Sequence, residues 1–314
     1  MNTMSVEVEG VATELDGLTF LWLEITGKCN LTCVHCYANS GPSLDMYGDM
    51  TFHDWVRTIE EAAEMGCRRL QFIGGEPTIH PRLCELVDHA KQSGFDFIEI
   101  YTNATRLDSQ MIGCFQRNKV HVATSFYSDD PVTHDRITQR KGSWQHTVGG
   151  IQRALAADLP VRVGLIEMEE NAGQMDRATD FLKGMGVRNC GVDRRRGVGR
   201  GSVVNLTVDG EHFDELCGQC WRGKVCVTAS AQCFPCVFSR ATPLGDVRGG
   251  LVGIVTGERL VSFRSEYLRH TNSGHIGADN SCGPGLCGPN TCPPYTGCNP
   301  SGDNRACQPD CRPL

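Results

Sequence analysis

Three cysteines set close together, Cys29, Cys33 and Cys36, form the run Cys-Asn-Leu-Thr-Cys-Val-His-Cys. A structural zinc site closes its tetrahedron with four Cys or His ligands, so three thiols are one short. Three is the number that holds a 4Fe–4S cluster while leaving one iron open to a substrate. The zinc alternative needs a distant fourth ligand, such as His53. Position favours the cluster. The apolar run from Leu18 to Ile25 carries a strand over 20–25, and the thiols follow it on the loop at its C-terminal end. In a barrel of parallel strands, chemistry sits at that end.

A second stretch has the same placement. Residues 69–73 read as a short strand, followed at once by Gly74-Gly75-Glu76-Pro77-Thr78. Paired glycines at a strand end let a ligand approach the backbone closely, and a carboxylate beside them accepts hydrogen bonds from an ammonium group. Arg194 to Gly201 form a third polar stretch, an exit loop or a set of guanidinium groups for a carboxylate.

The elements that must position these residues alternate. Thr51 caps a helix with Asp54 three residues on and apolar positions at Val56, Ile59, Ala63 and Met65, and Gly66 ends it. Helices over 81–93, 109–117, 144–157 and 173–184 then alternate with strands over 97–102, 120–126, 161–167 and 189–192. Such alternation implies right-handed βαβ units and a parallel sheet, an α/β fold with six strands. Near Asn205 it stops, which places a boundary between residues 1–204 and 205–314. Beyond it, 225–229 and 232–238 read as a hairpin, 250–254 as a short strand and 258–269 as a helix.

Composition narrows the function classes. The net charge of −7 gives no support to a nucleic-acid partner or an anionic membrane. No secretory signal and no run of about 18 apolar residues is present, so the chain is expected in the cytoplasm. In a reducing compartment, 18 cysteines point to metal or redox chemistry in place of disulfides. Fourteen fall in three groups: 29–36, 217–236 and 282–311. The scattered Cys67, Cys84, Cys114 and Cys190 read as small core residues.

The spacing of Cys29, Cys33 and Cys36 resembles the CxxxCxxC signature of the radical S-adenosylmethionine (SAM) superfamily, and Gly74 to Pro77 resembles its GGEP motif. The resemblance implies a partial (β/α)6 TIM-like barrel. It implies that the three cysteines hold a 4Fe–4S cluster whose open iron chelates SAM, and that Gly74, Gly75, Glu76 and Pro77 hold the SAM amino group. His35 stands at a position usually aromatic. Asn103, in Thr-Asn-Ala where a TNG-type ribose contact has Gly in place of Ala104, and Ser125 are implied to meet SAM. Asp129 to Trp144 resembles a segment of peptide-maturing members, D-x-x-x-x-H-D-x-x-R followed by G-S-F.

The C-terminal third resembles a SPASM or twitch extension, which carries one or two auxiliary 4Fe–4S clusters in a small cysteine-rich α+β unit. Cys226 and Cys236 are the first implied ligands and Cys220 the next, with Ala231 in a usual glycine position and Cys233 an extra thiol. Cys282, Cys287, Cys292, Cys298, Cys307 and Cys311 match the family's compact four-cysteine run loosely. A diverged ligand set, a zinc or disulfide knot and a disordered appendage all remain open for that tail. Metal binding is the reading that gives a Gly- and Pro-rich segment a reason to fold.

Membership implies reductive cleavage of SAM to a 5′-deoxyadenosyl radical that removes hydrogen from a substrate, with electrons from an external donor such as flavodoxin or ferredoxin. The substrate class implied first is a ribosomally made peptide, its leader bound by a separate protein. Oxidation or epimerisation of a sugar or aminocyclitol is the alternative. A non-catalytic metal-binding scaffold would hold zinc and leaves Gly74 to Pro77 unexplained.

Overall fold

The computed structural model describes residues 17–202, 213–216 and 223–270 in full, and the backbone of 5–8, 11–14 and 271–272. A short antiparallel hairpin not anticipated from the sequence, β1 (Ser5–Val8) and β2 (Val11–Glu14), comes first. The six expected strands follow: β3 (Phe20–Glu24), β4 (Arg69–Ile73), β5 (Phe97–Tyr101), β6 (His121–Phe126), β7 (Val161–Glu167) and β8 (Asn189–Arg194). They pair in parallel and in chain order. Together they form the partial, TIM-like barrel of an α/β protein.

Helices α1 (Phe52–Glu64), α2 (Leu83–Gln92), α3 (Ser109–Asn118), α4 (Pro131–Thr138), α5 (Ser143–Ala156) and α6 (Met175–Gly184) return the chain between strands. α1 starts where its capping box places it, Thr51 and Asp54 exchanging backbone-to-side-chain bonds. It buries Trp55, Thr58, Ile59 and Ala62, while Val56, Ala63 and Met65 pack at the margin. All five residues of β3 are buried. A strand covered on both faces is expected of a parallel sheet under helices.

α4 was not read from the sequence as a helix. Asp130 caps it, accepting from Val132 and Thr133 backbone N–H, and Pro131 opens it, a start signal that was there to read. Asp135 then accepts from the N–H groups of Gly142 and Trp144 and from Ser143 Oγ, fastening the start of α5. The segment that resembles D-x-x-x-x-H-D…G-S-F is therefore a local lock between two helices.

The boundary expected at residue 205 lies outside the described residues. The hairpin after it is present as β9 (Lys224–Thr228) and β10 (Gln232–Phe234), followed by β11 (Gly245–Asp246). β9 pairs in parallel with β3, Cys226 opposite Trp22, so the cysteine-rich extension continues the barrel sheet. The strand expected at 250–254 is instead a helical turn, α7 (Leu251–Val255). Gly250 takes φ +109° there, and the Leu251 N–H bonds the Glu61 carboxylate of α1, which turns the chain into a docked helix. α8 (Glu258–Asn272) ends the described chain. Cys84 of α2 and Cys114 of α3 were expected to be independent core residues. They form a disulfide with Cα atoms 6.1 Å apart, a pairing of residues 30 apart that spacing does not reveal.

Candidate active site

The thiol-bearing loop leaves β3 and is fixed at both ends by backbone bonds. Cys29 N donates to Gly41 O at 3.1 Å, and Thr32 N and Val34 N donate to carbonyls at the C-terminal end of α4, Thr138 O and Ile137 O. Cys29, Cys33 and Cys36 line one cavity of about 150 Å³ at the C-terminal ends of the strands, the end the sequence indicated. Burial, with the neighbouring charge of Glu76, pushes the Cys29 thiol up to about 12. Burial and the adjacent cysteines raise Cys33 as well, while Arg200 pulls it back.

The glycines of the second motif are required by the first loop. Gly75 N donates to Thr26 O at 2.7 Å and Glu76 N to Lys28 O at 2.9 Å. A Cβ on Gly74, at φ +142°, would lie 2.5 Å from Thr26 O, and one on Gly75 would collide with Lys28 O. What approaches these backbones is the chain leading into Cys29, and both glycines also line the cavity. Glu76 and Pro77 do not line it. The Glu76 carboxylate is fully buried: Oε1 accepts from Thr78 N, Thr78 Oγ1 and Thr102 Oγ1, and Oε2 accepts from Asn103 N at 2.7 Å. Glu76 thereby ties the end of β4 to the end of β5.

Asn103 carries that tie onward. Its Nδ2 donates to Asn30 Oδ1 at 2.8 Å and points toward Cys29 Sγ at 3.9 Å. Ser125 lines the cavity with its hydroxyl 3.0 Å from that of Tyr101. His35 packs edge-on against Tyr127, ring centroids 4.9 Å apart. It fills an aromatic role with an imidazole that burial, with Arg195 and Arg200, lowers to about 4.

Of the arginines after β8, Arg200 is the one whose role the sequence could not place. Its Nε donates to Cys33 O at 2.9 Å, its Nη2 to Ser40 O at 2.7 Å and its backbone N to Cys36 O at 3.0 Å. Gly199, at φ +60°, and Gly201 leave room for the cysteine loop to lie against this segment. Glycines on either side of one arginine were the available signal. Arg194 and Arg196 line the cavity, Arg194 bonded to Glu215 and Arg196 to Asp193.

Comparison with known proteins gives the family. Residues 23–182 match the Radical SAM superfamily. The chain belongs to the radical SAM superfamily. It is therefore an enzyme of a family that works with a 4Fe–4S cluster and SAM. It is 26% identical over 191 residues to the antilisterial bacteriocin subtilosin biosynthesis protein AlbA of Bacillus subtilis, covering 60% of this chain and 42% of that one. It is 27% identical over 164 residues to the AdoMet-dependent heme synthase of Methanosarcina barkeri, covering 52% and 46%. The chain thus spans under half the length of both relatives. Its fold matches Streptococcus suis SuiB bound to the precursor peptide SuiA at a TM-score of 0.66 and 14% identity, over 80% of this chain and 67% of that one.

The radical SAM cluster fits the residues present. Among the described residues no three His, Cys, Asp or Glu side chains gather as one metal ion would need. A cluster asks each thiol for a different iron, so three cysteines around a shared cavity meet its requirement without that convergence. Of the auxiliary ligand candidates, Cys226 and Cys236 are buried beside the barrel edge, with Cys233 buried in β10. Burial holds Cys226 well above the usual thiol range. The Glu24–Arg240 ion pair, 2.6 Å, joins β3 to the loop after Cys236, and Tyr37 meets Phe238 edge-on at 5.4 Å. Cys220, Cys282, Cys287, Cys292, Cys298, Cys307 and Cys311 lie outside the described residues.

Proposed function

We propose that this radical SAM enzyme matures a ribosomally made peptide by hydrogen abstraction, leading to a crosslink or an inverted α-carbon. The observation that carries the reading is a shared cavity. The three thiols, Gly74 and Gly75 line it together with Asp193, Arg194, Arg196 and Phe238, so one space can take both cofactor and substrate. The bacteriocin-biosynthesis relative and the fold match to a protein bound to its precursor peptide support a peptide. The second reading is oxidation or epimerisation of a sugar- or aminocyclitol-type metabolite, and the heme-synthase relative, whose named product is not a peptide, keeps a small-molecule substrate in view.

When bound, the cluster and SAM supply a 5′-deoxyadenosyl radical. The protein's own part is positional. Cys29, Cys33 and Cys36 hold the cluster on a loop clamped by Arg200. Gly74 and Gly75 set the backbone beside that loop, and Glu76 fixes Asn103 next to Cys29. Tyr127, Ile166 and Phe238 give the cavity apolar walls that exclude water from a reactive intermediate. Cys226 and Cys236, with Cys220, are the ligands proposed for an auxiliary cluster, the tail cysteines for a second, and a flavodoxin- or ferredoxin-type protein for the electron supply. A separate leader-binding protein completes the proposed set of partners.

Cys33→Ala tests the core of this reading. It should abolish 5′-deoxyadenosine formation, and full turnover by the variant would overturn the assignment. Removing Cys29, Cys33 and Cys36 together should lower reconstituted iron by about four per chain and leave iron bound elsewhere. An iron-free product would remove the auxiliary clusters.

A further inference from the structure

One polar residue deep in the cavity is not used by any of this. Gln71, in the middle of β4, lines the cavity and is fully buried. It lies two residues short of the strand end, about 7 Å deeper than Ile73 at the usual strand rise. Its Nε2 donates to Oε2 of Glu99, its register partner on β5. Glu99 is held in turn by Arg162 of β7, through Nη2 at 2.9 Å and Nε at 3.3 Å.

This chain of contacts fixes which way the amide faces. A carboxylate accepts hydrogen bonds and cannot donate them, so the Gln71 nitrogen must face Glu99 and the oxygen must face away. That oxygen has no hydrogen-bond partner among the described residues. A buried carbonyl without a donor is costly, and native sites that present one hold something that donates. The same cavity is lined, nearer the strand ends, by the paired hydroxyls of Tyr101 and Ser125. Burial raises the Tyr101 phenol, which keeps it protonated and able to donate.

The cavity therefore carries a fixed acceptor and, further out, two hydroxyls, and the Glu99 and Arg162 charges tied to the acceptor already offset each other. A charged group arriving there would lack a counter-ion. An all-carbon group would leave the oxygen unpaired. We infer that Gln71 is a substrate-reading residue, its Oε1 accepting a hydrogen bond from the hydroxyl or carboxamide of an uncharged polar side chain that enters the cavity. The inference rests on the peptide reading above and names the kind of residue that peptide presents.

The test uses the full chain, reconstituted with its cluster and SAM but without reductant so that nothing turns over. Its affinity for the pentapeptides Gly-Gly-Xaa-Gly-Gly, with Xaa serine, asparagine, alanine or leucine, is read by saturation-transfer NMR. Serine or asparagine should bind at least tenfold tighter than alanine or leucine, the discrimination expected where a buried acceptor would otherwise stay unpaired. In Gln71→Met, a near-isosteric change, the ratio should fall to near one. Equal affinities in the wild type overturn the inference and leave the oxygen to a buried water. A ratio that survives in Gln71→Met while SAM binding weakens assigns the oxygen to SAM, and overturns it too. Should the variant fail to fold, the wild-type ratio decides alone. Binding of none of the four peptides, in a protein that forms 5′-deoxyadenosine once reduced, would instead refute the peptide reading.

Discussion

Glu76→Gln separates two roles for the motif carboxylate. In the structure one buried carboxylate takes four donors, three on Oε1 and Asn103 N on Oε2. Glutamine has one carbonyl oxygen. Its best orientation keeps that oxygen with Thr78 and Thr102, which turns its NH₂ group toward the Asn103 N–H, donor against donor. The variant loses one charge-assisted bond of about 1.5–3 kcal/mol and leaves buried N–H groups unpaired at about 1–3 kcal/mol. Against this stands relief from burying a charge, since burial raises the Glu76 carboxyl despite its donors. A net loss of about 2–3 kcal/mol follows, read as a lower urea midpoint at unchanged slope for the cluster-free protein at pH 7. Asn103 is displaced with it, so SAM affinity should fall as well. If the carboxylate instead served only to bind the SAM ammonium, the cluster-free midpoint would stay within about 0.5 kcal/mol of wild type, the range of an ordinary surface substitution, and SAM affinity alone would suffer. That outcome would refute the positioning argument.

Two further outcomes follow from the same contacts. Arg200→Met keeps the side-chain length but removes the bonds to Cys33 O and Ser40 O, a local loss of about 3 kcal/mol for two charge-assisted bonds. Reconstituted iron should be released several-fold faster on gel filtration, and wild-type retention would remove the clamp. Burial lowers His134 to about 4 from an ordinary value of 6.5. The unfolded chain therefore takes up a proton that the folded one refuses. The stability contributed by keeping His134 neutral is complete above pH 6.5 and drains away toward pH 4, by up to about 1.4 kcal/mol per pH unit. His134→Gln should reduce that slope by one proton's share, His35 and His80 keeping theirs, as followed by urea midpoints across the window, and an unchanged slope would assign the proton elsewhere.

The barrel was legible because its signals are local. A strand and the helix after it each declare themselves within about a dozen residues, and Cys29, Cys33 and Cys36 lie within a single loop. What the sequence withheld depends on contacts between distant residues. The disulfide joins Cys84 to Cys114, Arg200 reaches back to Cys33, and β9 returns to pair with β3. No periodicity encodes which strand a late hairpin will join. The 250–254 segment departs from its expected strand for the same reason: Leu251, Val252 and Ile254 form an apolar run that suits a strand, and a carboxylate on α1 bonds the Leu251 N–H at the start of a helical turn.

The two alanines that depart from the family pattern show how residue identity can mislead in the other direction. The motif resemblance places glycine at the positions of Ala104 and Ala231, and an alanine there suggests a backbone that does not need glycine's freedom. Both instead keep the left-handed conformation, at φ +59° and +60°, and both are fully buried. An L-residue there costs about 1–2 kcal/mol, so surrounding contacts must hold each one in place. At Ala104 those contacts are visible: its N–H bonds Thr102 Oγ1, and its carbonyl lies where a Cβ on Gly150 of α5 would be. Gly150 leaves the room that this turn needs. Asn103 therefore reaches Cys29 from a turn that carries alanine, because the Thr102 hydroxyl and the space left by Gly150 hold that turn in its left-handed form.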